Sequence, residues 1–421
     1  MPSSRTYHDP LHGAITLHGS DPVEALLIEL IDTPAFQRLR RIRQLDVASF
    51  TFHGAEGSRF THSLGAMAVT RRAFDRLAKV YPELLPHRMV VLCGGLLHDI
   101  GHSPFSHAGE EFFDSHHELW TCRIVQESAP VRQALDQAQP GLADQLVQLY
   151  HKTYTPALAW QLVSSQLDCD RLDYLLRDSY FTGAQYGRLD LDRILMALGY
   201  DPETQRLVVR ARKGLSAIEH YLVVRYFMYT QVYNHPKNLT ARFVLGGAFR
   251  RAQVLLQQSE QGTLEADSNM RAWLQSHPDQ LPLEQYLNAD DVVFGYHIHR
   301  WQHHPDPILA DLCRRYQDRD LLKAWDLSDL SNIQQHQVLE QVQRQLSQQG
   351  FDPHYYSSIR TALTQGYTLY RQGIELRTEQ GTLREISELS PLVKTLIQPQ
   401  QRAWLLYPRE AKLNLEELVG S

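Results

Sequence analysis

Residues 94–107 read GGLLHDIGHSPFSH, three histidines and an aspartate set among small and apolar residues. Such a stretch is patterned for burial, and burying imidazoles and a carboxylate is costly unless each one finds a partner. The chain must therefore fold so that distant segments bring hydrogen bonds and compensating charge to His98, Asp99, His102 and His107. With 421 residues it can bury a substantial core, as one large domain or two to three smaller ones.

The surrounding pattern is helical. Apolar residues recur at three and four in PVEALLIELI, THSLGAMAVTRRAFDRLAKVY, RMVVLCGGLLHDIG, EEFFDSHHELWTCRIVQES, ALAWQLVSSQLDCDRLDYLLRDS and KGLSAIEHYLVVRYFMYTQVYN, and each predicts a helix. DTPAFQRLRRIRQL, residues 32–45, predicts another, with Asp32 or Thr33 as its cap and Pro34 in its first turn. Strand signals in this part are limited to AITLH and RLVVRAR, which can pair with each other. Polar segments at 257–284 and 340–352 interrupt the pattern, after which YTLYRQGIELRT, GTLREIS and RAWLLYPRE alternate like short strands. The expected fold class is mainly α: a mostly helical domain over 1–345 and a small C-terminal α+β lobe over 346–421, with no solenoid repeat.

Composition removes several function classes. The chain is 43% hydrophobic and 21% charged, an ordinary globular balance. A net charge of -6 gives no support for a surface that binds single-stranded or other nucleic acid, although a local basic pocket can hold an anionic small molecule. Cys93, Cys122, Cys169 and Cys313 are far apart and form no CxxC pair, so neither a zinc ribbon nor a disulfide framework is expected, and a reducing cytoplasm fits best. The N-terminus lacks the apolar core of a signal peptide, and no apolar run approaches the ~18 residues of a membrane span. A cytoplasmic protein without a membrane partner is expected.

Adjacent His98 and Asp99 at the end of an apolar helix can lean toward one point, giving an imidazole nitrogen and a carboxylate oxygen. His62 in SRFTHSLGAM is a third candidate ligand, and DCDRLDYLLRD supplies a fourth, where Asp170 competes with Asp168, Asp173 and Asp178. Alone, an apolar-flanked histidine is more often a satisfied core residue than a ligand. Two histidines with two carboxylates would make a mixed nitrogen and oxygen site for a divalent metal ion: iron, manganese, zinc, cobalt or nickel, with magnesium also in range.

The ordered set H...HD...D resembles the HD-domain phosphohydrolases. The succession HDPLHGAITLH, DTPAFQRLRRIRQL, SRFTHSLG, LLHDIGHSPFSH, HHEL and DCDRLDYLLRDSYFTG is similar, in order and spacing, to the deoxynucleoside triphosphate (dNTP) triphosphohydrolases, including the vertebrate SAM-and-HD-domain enzyme and its bacterial relatives. Clear motifs run from about residue 6 to residue 245. The resemblance implies an HD-type catalytic domain over 1–345, with His62, His98, Asp99 and Asp170 as metal ligands. It implies His102 and His117 as an acid-base pair, His116 being a rival that a one-residue slip would exchange for His117. Arg59 joins the catalytic set, and Glu110 stands where the best-known relative has an aspartate that orients a catalytic histidine. His107, Arg171, Tyr174, Asp178, Arg225 and Tyr233 would line the triphosphate channel, with Gln44 and Leu45 at the sugar and base.

Chemistry agrees with these roles, since arginine offers a fork of donors to phosphate oxygens and histidine can protonate a leaving oxygen near neutral pH. Against them, Tyr174, Arg225 and Tyr233 sit at helical spacing and can simply pack, and Arg171 can pair with Asp168. Asp32, Gln37 and Arg40 match positions where the vertebrate relative holds an activating guanine nucleotide between subunits, which implies a GTP or dNTP activator and a dimeric or tetrameric homo-oligomer. The plainer reading is a helix start followed by solvated arginines. Two other functions compete: an HD phosphohydrolase acting on a ribonucleotide, cyclic nucleotide or guanosine alarmone, and a nucleotide sensor without turnover.

Overall fold

The computed structural model describes residues 3–258, 264–369 and 373–414. Its axis is the Arg59–Val80 helix, which starts where Ser58 accepts a hydrogen bond from Thr61 N–H and in which residues 62–70 are all buried. Arg88–Leu97 and Cys169–Thr182 pack against it, so the three segments that carry the H...HD...D set are neighbours in space. Leu64, Met67, Leu92, Leu96 and Leu172 fill the contact, and burying each such side chain contributes about 1.5–3 kcal/mol. Gly65 is required by that contact, because a Cβ there would collide with Asp173 Oδ1 and Arg177 Nη2. A second apolar core forms around Pro236–Gln258 and the helices Asp291–Trp301 and Pro307–Gln317.

The mainly helical class holds, and several elements differ from expectation in extent. EEFFDSHHELW is two helices, Ser106–Phe113 and His117–Glu127, because Asp114 takes a left-handed conformation (φ 53) and His116 is extended. ALAWQLVSSQLDCDRL also divides, and Asp168 caps its second half by accepting from Arg171 N–H. In DTPAFQRLRRIRQL, Asp32 ends the Pro22–Asp32 helix, Thr33 caps the next one, and that helix covers only Pro34–Arg41. There the buried Arg38 guanidinium donates to the carbonyls of Ala289 and His102 and Arg43 N–H donates to Asp291, so distant partners win over helix propensity. The polar 340–352 segment ends a helix, Asn332–Gln348, that opens on a Ser331–Gln334 capping box.

AITLH and RLVVRAR do not pair with each other. Gly13–Leu17 is antiparallel to Arg5–Asp9 (Arg5 opposite Leu17), and Arg206–Arg210 is antiparallel to Leu198–Asp201. The strands beyond 346 divide between two sheets: Glu375–Arg377 joins Arg206–Arg210 in parallel, and Gln400–Tyr407 lies between Lys323–Asp326 and Ser358–Thr364. The residue 345/346 boundary falls inside Asn332–Gln348, and part of YTLYRQGIELRT lies outside the described residues. Among the described residues no helix is long and apolar enough to cross a membrane.

Candidate metal centre and active site

His62 stands in the first turn of its helix, and His98, still in helical φ/ψ (-54, -35), caps the end of Arg88–Leu97 with Asp99 directly after it. His98 Nδ1–H donates to Gly95 O at 2.9 Å and His62 Nδ1–H donates to Asp173 Oδ2 at 2.8 Å. The two Nε2 atoms then face one another, 3.2 Å apart. That arrangement is repulsive until a proton or a metal ion shares them. Asp170 Oδ1 lies 3.0 Å from His62 Nε2 and 3.5 Å from His98 Nε2, and Asp99 oxygens lie 3.5 and 3.4 Å from the same two atoms. Ligands about 2.1 Å from a common centre at 90–110° stand about 3.0–3.4 Å apart. His62, His98 and Asp99 are grouped closely enough to hold a divalent cation, and Asp170 stands beside the two histidines.

The electrostatics favour positive charge at this point, which a proton or a cation can supply. Burial opposes charge on His62, but hydrogen bonding to Asp170 and Asp173 with the nearby charge of Asp99 raises it to about 10. Burial likewise opposes charge on Asp99, yet Arg59, His98 and His102 hold its carboxyl well below the usual range. Arg59 Nη1 donates to Asp99 Oδ2 at 2.6 Å, and Arg59 Nε donates to Ser106 Oγ at 3.0 Å.

A second cluster abuts the first. Glu110 Oε1 accepts from His117 Nδ1 at 2.7 Å and lies 3.2 Å from His102 Nδ1, while Oε2 accepts from His107 Nδ1 at 2.9 Å. The His102 and His117 rings stack with centroids 4.0 Å apart, and a Cβ at Gly101 would collide with His117 O, so the glycine in HDIGH is what admits the second helix. Burial pushes Glu110 up, but its three histidine partners hold it far below the usual carboxylate range. His102 is lowered to about 3 by burial and by Arg59 and His117, whereas His117 is raised because its bond to Glu110 outweighs its own burial. His116 is exposed and lies outside the cavity wall, in which His117 takes part.

Both clusters open on one cavity of about 580 Å³. Of the residues expected at the substrate, Gln44, Leu45, His107, Arg171, Tyr174, Asp178 and Tyr233 line it, with Arg59. Arg171 Nε donates to Ser165 O at 2.8 Å while facing Asp168 at 3.3 Å, so its pairing on the helix and its place in the wall coexist. Tyr233 donates to Asp178 Oδ2 at 2.9 Å, and burial raises Asp178 to about 7. Arg225 is not brought to the wall: it is buried and donates to Gln166 Oε1 at 2.9 Å. Asp32, Gln37 and Arg40 lie outside the cavity: Asp32 accepts from Arg5 at 2.5 Å, and separately Arg40 donates to Gln37 at 2.7 Å, with the Arg40 guanidinium 3.6 Å from the Phe60 ring centroid.

Sequence reasoning missed Asp46, Lys152 and Arg242 in the wall. Asp46 is 2% exposed at φ 43 and ion-pairs with Arg242 at 2.7 Å across 196 residues, a contact that no local spacing announces. Lys152, also left-handed (φ 60), follows a helix end, and an unremarkable HKT triplet gave no signal.

Comparison with known proteins agrees with the geometry. The HD domain family matches residues 59–155. An uncharacterized protein of Bacillus subtilis, YwfO, is 33% identical over 100% of this chain and 98% of its own length. A Dictyostelium discoideum protein named deoxynucleoside triphosphate triphosphohydrolase SAMHD1 homolog is 29% identical over 58% of this chain and 50% of that protein. The crystal structure of a phosphohydrolase from Bacteroides thetaiotaomicron superposes with a TM-score of 0.83 at 28% identity, covering 96% of this chain and 100% of that one. With its full length matched and the HD domain recognised around His62 and His98–Asp99, the chain belongs to the HD-domain, dNTPase-like family of phosphohydrolases.

Proposed function

We propose that the protein hydrolyses deoxynucleoside triphosphates to a deoxynucleoside and inorganic triphosphate, using a divalent metal ion held by His62, His98, Asp99 and Asp170. The carrying observation is the pair of Nε2 atoms 3.2 Å apart, flanked by the Asp99 and Asp170 carboxylates and adjoining the His117–Glu110 pair at one cavity. A cation bound there supplies Lewis acidity and lowers the pKa of water.

The chain's own groups do the rest. Arg59, fixed by Asp99 and Ser106, directs its guanidinium toward charge developing at the α-phosphorus. The water oxygen forms a bond to that phosphorus and its proton leaves to solvent, the bond from phosphorus to the sugar O5′ breaks, and His117, raised by its hydrogen bond to Glu110, gives its proton to O5′. Lowered to about 3, His102 stays neutral through this step and braces His117 by stacking. Arg171, Tyr174, His107 and Lys152 supply donors along the triphosphate, and Asp178 with Tyr233 closes the channel.

At the sugar end, Gln44 Oε1 is buried without a hydrogen-bond partner, which supports acceptance from a substrate hydroxyl. Leu45 beside it offers an apolar surface to the base. A regulatory layer belongs to the same reading: a GTP or dNTP bound at Asp32, Gln37 and Arg40 between subunits of a homo-oligomer would raise turnover. The test is to incubate the protein with each dNTP and NTP, alone and mixed, across several divalent metals, and to identify the phosphate product. Intact triphosphate supports the assignment; pyrophosphate with a monophosphate shows that a different bond is cut.

A further inference from the structure

The orientation of His62 is set from outside the ligand set. Its Nδ1 partner is Asp173, and Asp173 in turn accepts His12 Nε2–H on Oδ1 at 2.5 Å. His12 lies outside the cavity wall, 161 residues from Asp173 in sequence, in the turn between the strands Arg5–Asp9 and Gly13–Leu17. That turn is tightly built. Asp9 Oδ1 accepts from both Leu11 and His12 N–H at 2.9 Å, and Gly13 takes the left-handed φ of +71 that closes it. Asp9 Oδ2 accepts from Arg177 Nη1 at 2.9 Å, so the hairpin tip is anchored on the Cys169–Thr182 helix twice, once at Arg177 and once at Asp173.

Asp173 is the node. It is fully buried, and a carboxylate has about four lone-pair sites. Oδ1 faces His12 Nε2 and Arg177 Nη2 (3.0 Å), and Oδ2 faces His62 Nδ1 and Arg177 Nε (2.7 Å), so all four are used. Without His12, Oδ1 would keep only the 3.0 Å contact, and the carboxylate could turn toward Arg177 at the expense of its bond to His62. At Gly65, which packs against Asp173 and Arg177, there is no room for a side chain that could donate in place of His12. An imidazole that binds a metal through one nitrogen depends on the partner of its other nitrogen for tautomer and ring angle.

We infer that His12 is a positioning residue for the metal centre: acting through Asp173, it fixes the tautomer and ring angle of His62, and the N-terminal hairpin is thereby part of the ligand cage while supplying no ligand. The inference rests on the reading of His62 as a ligand, and the experiment separates the two.

Mn²⁺ and Zn²⁺ binding to the full chain is measured by calorimetry with chelator competition for the native protein, His12→Ala, His12→Gln, Asp173→Asn and His62→Ala. Circular dichroism in chelator reports the fold of each. His12→Ala and Asp173→Asn are expected to weaken metal binding about 10–100-fold with the helical spectrum kept, as for other partners of metal-bound histidines. His12→Gln, whose amide can donate to Asp173, should recover most of the affinity, a rescue that a purely structural role does not predict. Native-like affinity in His12→Ala, with His62→Ala devoid of metal, overturns the inference and leaves the ligand assignment standing. Native-like affinity in His62→Ala overturns the ligand assignment, and the inference with it. Should His12→Ala fail to fold, His12→Asn, which fills more of the space but stops short of Asp173, decides by the same two criteria.

Discussion

The cluster around His62 and the surface around Asp32 are both built from paired charges and hydrogen bonds, and they differ in their access to water. At His62, Asp99 and Asp173 every group is at most 5% exposed, and the Nε2 atoms of His62 and His98 face one another. At Asp32 the carboxylate is 49% exposed, its Arg5 partner 42%, and each group is satisfied by its neighbour. Two unit charges 4 Å apart interact by about 1 kcal/mol in water and about 4 kcal/mol at the effective dielectric of a protein. Similar residues thus give a rigid, charge-hungry cage in one place and a replaceable surface link in the other.

Removing a cage ligand is the strongest way to break that contrast. Asp99→Ala should reduce metal content to background and abolish hydrolysis, because it deletes a carboxylate oxygen and leaves the buried Arg59 guanidinium unpaired. Most helical content should survive, since the apolar core extends well beyond the site. Stoichiometric metal by mass spectrometry in a folded, active Asp99→Ala protein would show that the four-ligand reading is wrong.

One step outward, His117→Ala should cost a factor on the order of 10²–10⁴ in turnover, the usual loss for a general acid, with metal content unchanged. His116→Ala should stay near native, because that side chain is exposed outside the cavity wall. The opposite pattern would transfer the role to His116.

A smaller and more diagnostic effect belongs to Glu110→Gln. Burial lowers His117, and its hydrogen bond and charge interaction with Glu110 raise it above its usual value. Removing that charge should move the basic limb of the kcat profile to lower pH, since the acid must be protonated to act. The stability sign follows from the same shift. A histidine whose folded pKa is raised adds stability that is full below its unfolded pKa of about 6.5 and fades as pH rises through the folded value. The Gln variant should therefore lose less stability than the native protein when pH rises from 6 through 8. Identical pH profiles for activity and unfolding would remove Glu110 from any role in tuning His117.

Sequence legibility followed the same division. His98 and Asp99 stood out because an apolar helix ending in His-Asp is a conflict in local pattern, and such conflicts mark sites, whereas His62 and Asp170 were singled out only through the resemblance to the HD-domain family. The helices could be read because they are long and periodic, whereas their ends could not, since Asp114 and the Arg38–Ala289 bond act through backbone conformation and partners 251 residues away. The pairing of Arg5–Asp9 with Gly13–Leu17 was missed because RTYHD is polar and half exposed and carries no clear alternation. Asp46–Arg242 and His12–Asp173 were hidden for one reason: each joins residues remote in sequence, and neither residue of a pair is unusual in its own neighbourhood.

The smallest expected effect, and the one that tests the surface side of the contrast, is Asp32→Ala. An exposed pair of this kind contributes about 0–1 kcal/mol, so the melting temperature, metal content and basal hydrolysis should hardly change. What should change is the response to nucleotide. Arg5 would lose its carboxylate, while Arg40, for which no carboxylate partner is found among the described residues, keeps only Gln37 and the Phe60 ring. A nucleotide that binds the assembled form better than the separated one shifts the population toward assembly by no more than its differential affinity. In the native protein, GTP or a dNTP should therefore enlarge the particle in light scattering and accelerate hydrolysis of a second dNTP, and Asp32→Ala should lose both responses. If each dNTP alone already gives full activity and particle size ignores nucleotide, Arg5–Asp32 is a surface link that staples the first strand to the end of the Pro22–Asp32 helix, and the enzyme is constitutive.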